Sequence, residues 1–325
     1  MNRRDVIRAA PMLGAAALLP AGARAQAAWP SRPLRWVVGY PAGGAMDRYS
    51  RQVGASLAEQ LGQPVVVENR PGGGAIVATE QVVRAPADGQ TLLSADNGIL
   101  VFNPALYAQL PFDPDRDLAR IAMIARFAMF LIVRRDSPLT DFAALAAAAR
   151  AGQVSCGSAG IASPHHLAME LVKRRCGMDL LHVPYRGIAG MLPELLAGRL
   201  EMGVADVVTA APAMRTGDIR AIAVLQGNRN TLFPEVPTAA EAGCGGIETG
   251  AWFGVCVAAG TPPPIIDRLA EAVPRAIATG PAEADLRSVG AQMIGAGRPE
   301  FDRLVQAEIA TWRPLIRELG LRPDS

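Results

Sequence analysis

The chain is poor in the groups that most chemistry requires. Among its 325 residues are three histidines, His165, His166 and His182. Two of them are adjacent at the start of a helical pattern, where neighbouring side chains point about 100° apart and cannot close on one metal ion. Four cysteines, Cys156, Cys176, Cys244 and Cys256, show no Cys-x-x-Cys spacing, so neither a zinc nor a redox motif is present. Three complete pairings stay open for them, and we read them as small buried residues with no more than one bridge. Formal net charge is only +2, and the basic residues are dispersed, without the stripe that nucleic acid demands. The glycine-rich segments lack the full Gly-x-Gly-x-x-Gly of dinucleotide folds and the lysine of a P-loop. No metal and no cofactor is expected.

Long apolar runs are also missing beyond the first residues. Residues 1–27 read as an export signal: Arg3, Arg4 and Arg8 precede the apolar stretch Ala9 to Leu19, and Ala23, Ala25 and Ala27 offer cleavage sites. That stretch is far short of the roughly twenty residues a spanning helix needs. Arg3-Arg4 fits a twin-arginine leader as well as an ordinary Sec leader. The expected mature product is a soluble periplasmic monomer of about 300 residues, enough for two domains.

Short apolar runs alternate with helical patterns, the mark of an α/β protein with largely parallel sheets. In the first half the spacing predicts strands at Leu34–Val38, Val65–Glu68 and Thr91–Ser94, with helices at Arg48–Leu61 and Ala75–Ala85. A second series has strands at Phe130–Arg134, Val154–Cys156, Leu180–Val183, Met202–Val204 and Ala221–Leu225, with helices at Phe142–Ala151, Pro164–Cys176 and Ile188–Ala197. Strand Trp252–Val257 and helices Pro264–Thr279, Ala282–Val289 and Pro299–Leu319 complete the chain. The C-terminal helices must cover the first sheet, which otherwise lacks them. We therefore expect two doubly wound lobes, residues 28–127 with 229–325 and residues 128–228, joined by crossings near Ala125–Phe130 and Gln226–Pro237.

Two loops carry the functional signal. Tyr40-Pro41-Ala42-Gly43-Gly44-Ala45-Met46-Asp47 lies between the first strand and the first helix, where unpaired amides and the helix dipole attract an anion. Asp47 suits a carboxylate better than a pyrophosphate, provided its own charge is spent on capping or on a donor group of the ligand. Ser158-Ala159-Gly160-Ile161-Ala162-Ser163 repeats the design in the second lobe, with Ser163 as cap and Pro164 in the first turn. Asn97, after the third strand, is also placed to line a cleft. Ser158 with His165 or His166 and Asp206 has the composition of a nucleophilic triad, but Ser158 is not in a Gly-x-Ser-x-Gly elbow, and catalysis is not expected.

Tyr40-Pro41-Ala42-Gly43-Gly44 with Asp47, Glu68-Asn69-Arg70-Pro71-Gly72, Asn103-Pro104-Ala105-Leu106-Tyr107, Ser163-Pro164-His165 and Val183-Pro184-Tyr185-Arg186-Gly187 together resemble the Bug receptors of the tripartite tricarboxylate transporter type. The resemblance covers nearly the whole mature chain. It implies a type II periplasmic-binding fold and a cleft for a small carboxylate held largely by backbone groups. Its partners would be membrane transporter subunits or a sensor protein. By that analogy Tyr40, Ala42, Gly43, Gly44, Met46 and Asp47 hold one end of the ligand, Ser158, Gly160, Ser163 and His165 meet it from the other lobe, and Asp206 lines the cleft. Met46 stands where many relatives carry a hydroxyl residue. Tyr40, Met46 and His165 are then expected to set selectivity, disfavouring citrate and favouring a compact acid with a less polar aromatic or short aliphatic body.

Overall fold

The computed structural model describes residues 29–322, so the expected export signal lies outside the described residues. Strand β1 (Leu34–Val38) alternates, with Leu34, Trp36 and Val38 in one apolar layer and Val37 in the other. That period of two is what a sheet covered on both faces requires. β1 pairs in parallel with β2 (Val65–Asn69) and β3 (Thr91–Asp96). Helices α1 (Ala45–Leu61) and α2 (Ile76–Val83) make the crossovers. A π-helical turn (Gly98–Phe102) and the short α3 (Asn103–Leu106) follow β3, and α4 (Pro114–Asp117) leads into β4.

Strand β4 (Leu118–Arg134) corrects the sequence expectation of a strand confined to Phe130–Arg134. Its 17 residues are nearly all apolar and buried, so they need strand partners along their whole length, and the expected linker is itself part of the sheet. Leu118–Ala128 pairs antiparallel with β9 (Gly250–Ala258), while the later residues pair antiparallel with β7 (Met202–Asp206) and β8 (Ile219–Val224). β9 also runs antiparallel to β3. The outer strands are parallel as expected; the middle of the sheet is not.

In the second half β5 (Val154–Ser158) lies parallel between β6 (Leu180–Pro184) and β7. Helices α5 (Phe142–Ala151), α6 (Pro164–Cys176) and α7 (Ile188–Leu196) connect them, and α8 (Val207–Thr216) joins β7 to β8. The order is β2-β1-β3-β9-β4-β7-β5-β6, with β8 on β4. α9 (Pro263–Thr279) packs along α1 and β4, followed by α10 (Pro281–Ser288), and α11 (Arg298–Glu318) covers β4 and the π-helical turn. The C-terminal helices thus cover the first half.

Val224 bridges Thr238, Cys176 is disulfide-bonded to Cys244, and the Thr249 amide donates to Leu225 O, so the loop through Thr249 stays against the second half. Cys156 and Cys256 are free and buried. Among the described residues no helix is long and apolar enough to cross a membrane.

Candidate functional site

The starts of α1, α6 and α8 converge on a cavity of about 240 Å³ at the ends of β3, β7 and β9. Ala45 and Met46 come from α1, Pro164 from α6, Val208 and Thr209 from α8, and Asp206 from the end of β7 that caps α8. Asp96 and Asn97 close one side, and Phe127, Ala251, Trp252 and Phe253 come from the paired strands where the halves meet. Among the described residues no lysine or arginine lines it. A second cavity of about 350 Å³ adjoins it, sharing Asp96 and Pro164, with Tyr40, Tyr107, Ile161 and Ser163 on its walls.

Of the residues expected at the site, Met46, Asn97 and Asp206 line the first cavity and Tyr40 and Ser163 the second. Asn97 is buried and donates to Gly250 O at 3.0 Å, tying β3 to β9 beside the cavity. Asp206 caps α8, accepting from the Thr209 amide at 3.0 Å and from its hydroxyl. Burial raises the energy of its charge, but His165 and these bonds hold its pKa below the usual range. Tyr40 donates to Asp96 at 2.5 Å, and burial pushes the Asp96 carboxyl up despite that bond.

The remaining expected residues line neither cavity. Asp47 turns back on its own loop, accepting from the Gly43 amide at 2.8 Å and from Arg51 at 2.9 Å. Against the cost of burial these bonds lower its pKa, so its charge is spent on capping the loop. Ala42, Gly43 and Gly44 are exposed on that loop, and Gly44 offers α1 no side-chain cap. Ser158 is fully buried, 2.7 Å from Nε2 of His182, and exchanges hydrogen bonds with Gly160. Ser163 caps α6 through the His166 amide and donates to Gly160 O at 2.7 Å. The His166 ring accepts from the Ala162 amide and stacks on His182 at 3.6 Å. Burial and the neighbouring His166 lower the His182 pKa to about 4. His165 is 8% exposed; its Nε2 lies 3.4 Å from Asp206, out of hydrogen-bonding alignment, and its Nδ1 has no partner.

Sequence reasoning missed α8 altogether, and with it Thr209. Val207, Val208, Thr209 and Pro212 all disfavour a helix, yet the Asp206 cap and Gly217 just past the end were legible start and stop signals. Phe127, Trp252 and Phe253 read as core residues, and nothing in a single sequence marks a core aromatic that also faces a cavity.

The family model described as tripartite tricarboxylate transporter family receptor matches residues 49–321. The chain belongs to that family. This receptor is 36% identical over 315 residues to the UPF0065 protein in the tcbD-tcbE intergenic region of Pseudomonas sp. strain P51, covering 95% of this chain and 94% of that one. Among solved structures it is similar to Rpa4515 of R. palustris with adipate, at TM-score 0.78 and 34% identity, covering 90% of this chain and 99% of that one. MatC (Rpa3494) from Rhodopseudomonas palustris with bound malate matches at TM-score 0.74 and 31% identity, with coverage of 88% and 99%. The family is one of solute-binding receptors, not enzymes, so the Ser158–His182 contact is structural.

Proposed function

We propose that this receptor works in the periplasm, closes two lobes on a small carboxylate with an apolar body, and passes it to the membrane subunits of a tripartite tricarboxylate-type transporter. The observation that carries the reading is a cavity faced by three helix starts, that of α1 without a side-chain cap, and with no basic side chain among the described residues of its walls. Unspent backbone amides and helix dipoles supply the attraction for an anion under those conditions. In this reading the lobes flex about β4 and the Thr249–Gly250 link, and the loop through Thr249, tethered by the Cys176–Cys244 disulfide, moves with the second lobe.

The walls argue for the body of the ligand. Met46, Phe127, Val208, Trp252 and Phe253 are apolar, and the carboxylates that line the cavity, Asp96 and Asp206, are engaged by Tyr40 and Thr209. The neighbour with adipate holds an acid whose middle is a plain methylene chain. Such a body suits these walls better than the hydroxyl of malate or the crowded oxygens of citrate, since each buried oxygen without a partner costs roughly 1–3 kcal/mol. Mass spectrometry of the co-purified ligand, with calorimetry against adipate, benzoate, malate and citrate, tests this. Adipate or benzoate should lead, and Met46→Thr should narrow their advantage. A preference for citrate, or a ranking unmoved by the substitution, would sink the ligand assignment.

A further inference from the structure

Behind the Trp252 wall of the cavity sits a carboxyl group that the binding site as described does not use. Glu308, on α11, is 6% exposed; one of its oxygens accepts from Trp252 Nε1 at 2.7 Å and the other has no hydrogen-bond partner. Trp252 is itself buried, lines the cavity and stacks edge-on against Phe301. Arg126 of β4 is the strand partner of Trp252, and its charge pulls the Glu308 pKa down; its Nε is buried without a partner. A buried carboxylate with one free oxygen and no bonded cation is costly. Burial accordingly pushes the Glu308 pKa up to about 7, against the downward pull of the indole bond and of Arg126.

We propose that Glu308 is a positioning residue of the binding cavity, which holds the Trp252 indole in the cavity wall and takes up a proton when an anion occupies the cavity. The proton uptake rests on the carboxylate reading; the positioning does not. A bound carboxylate on the far side of the indole is a like charge, so it raises the cost of ionised Glu308 and favours the protonated form. By reciprocity a protonated Glu308 favours the bound anion. The indole N–H bonds more strongly to the ionised carboxyl than to the neutral one, so its environment reports the change.

The test has two arms. In the ligand-free, 15N-labelled protein the indole N–H resonance of Trp252 should titrate with a midpoint near 7, while those of Trp36 and Trp312 stay flat. Glu308→Gln keeps an oxygen acceptor and should abolish the titration; Arg126→Gln should move the midpoint up, and His165→Gln should leave it in place. A flat Trp252 resonance in the wild type, or a titration that survives Glu308→Gln, overturns the proposal. In the second arm adipate is titrated by calorimetry in buffers of different ionisation heat. Wild type should take up a fraction of a proton, with affinity falling between about pH 6.5 and 8.5 by less than the tenfold per pH unit that one proton permits, and Glu308→Gln should take up measurably less, the remainder coming from Asp96 and Asp206 in the cavity walls. Binding without proton uptake in the wild type overturns the coupling. If adipate fails to bind, the carboxylate reading and the coupling fall together, while the indole titration still decides the positioning role.

Discussion

The two glycine-rich loops look alike in sequence and are built differently. In the first lobe the loop around Gly43 is exposed and is held from behind by a single carboxylate, Asp47, pinned by Arg51. Its helix start has no side-chain cap, so its donors stay available. In the second lobe side chains of the loop and its helix take up the amides of Gly160, Ala162 and His166, through Ser158, the His166 ring and Ser163. A glycine-rich strand-to-helix turn therefore does not by itself supply free donors. What matters is whether nearby side chains have already consumed them. The first loop is the side that can still give donors to a ligand, and the second is a preformed wall.

The strongest way to break that contrast is to push on the glycine that precedes each loop. A Cβ on Gly39 would lie 2.3 Å from the Cβ of Ala75 and 3.0 Å from its Cα, and alanine has no flexible end to move. Gly39→Ala should destabilise by about 1–3 kcal/mol, the usual cost of overpacking, and displace the donor loop. At Gly157 the clashes are with side chains, Met191 at 2.5 Å and Leu200 at 2.7 Å, which can shift more easily than backbone. Chemical denaturation should therefore show Gly157→Ala as the milder variant, and the reverse ranking would contradict a rigid first loop.

Next in size, Asp47→Asn removes the ion pair with Arg51 while keeping an acceptor for Gly43. A net hydrogen bond is worth about 0.5–1.5 kcal/mol, so affinity should fall several-fold, equally for plain dicarboxylates and amino acids. Ser163→Ala should instead cost about 1 kcal/mol of stability as a lost cap and leave affinity nearly unchanged. A loss confined to amino-acid ligands in Asp47→Asn would place that carboxylate against the ligand.

The response to acid adds a pH-dependent contrast. His182 has a pKa lowered to about 4 in the folded protein, against about 6.5 unfolded. Between those values the unfolded chain binds more protons, so the contribution present above pH 6.5 is lost as pH falls toward 4. Asp47, lowered from 3.8, loses its contribution only below that range. Glu308 works with the opposite sign: its pKa is raised from 4.5 to about 7, so stability rises as pH falls through that window. It does so in wild type and in His182→Gln alike. The difference in Tm between those two proteins isolates His182, and wild type should lose ground to His182→Gln from pH 7 to 5.

Much of this was legible in the sequence. Helix α6 begins and ends where Ser163-Pro164 and Gly177 say it should, and the parallel outer strands follow from alternation with helices. The antiparallel middle was not, because β4 and β9 are apolar on both faces and such runs carry no direction. Met46 and Asn97, expected from loop position, and Asp206, expected from the family resemblance, line the cavity, whereas Ser158 and Asp47 have site-like identities but face inward. Orientation is decided by partners distant in sequence, such as His182 for Ser158.

The central claim is that backbone donors in the cavity select a carboxylate charge. The direct measurement is calorimetric binding of adipate against its uncharged diamide, which keeps the carbon chain and replaces only the carboxylates. Charge-assisted hydrogen bonds exceed neutral ones by roughly 1 kcal/mol or more each, so adipate should bind at least about tenfold more tightly. Equal affinity for the two, or tighter binding of the diamide, would contradict the account.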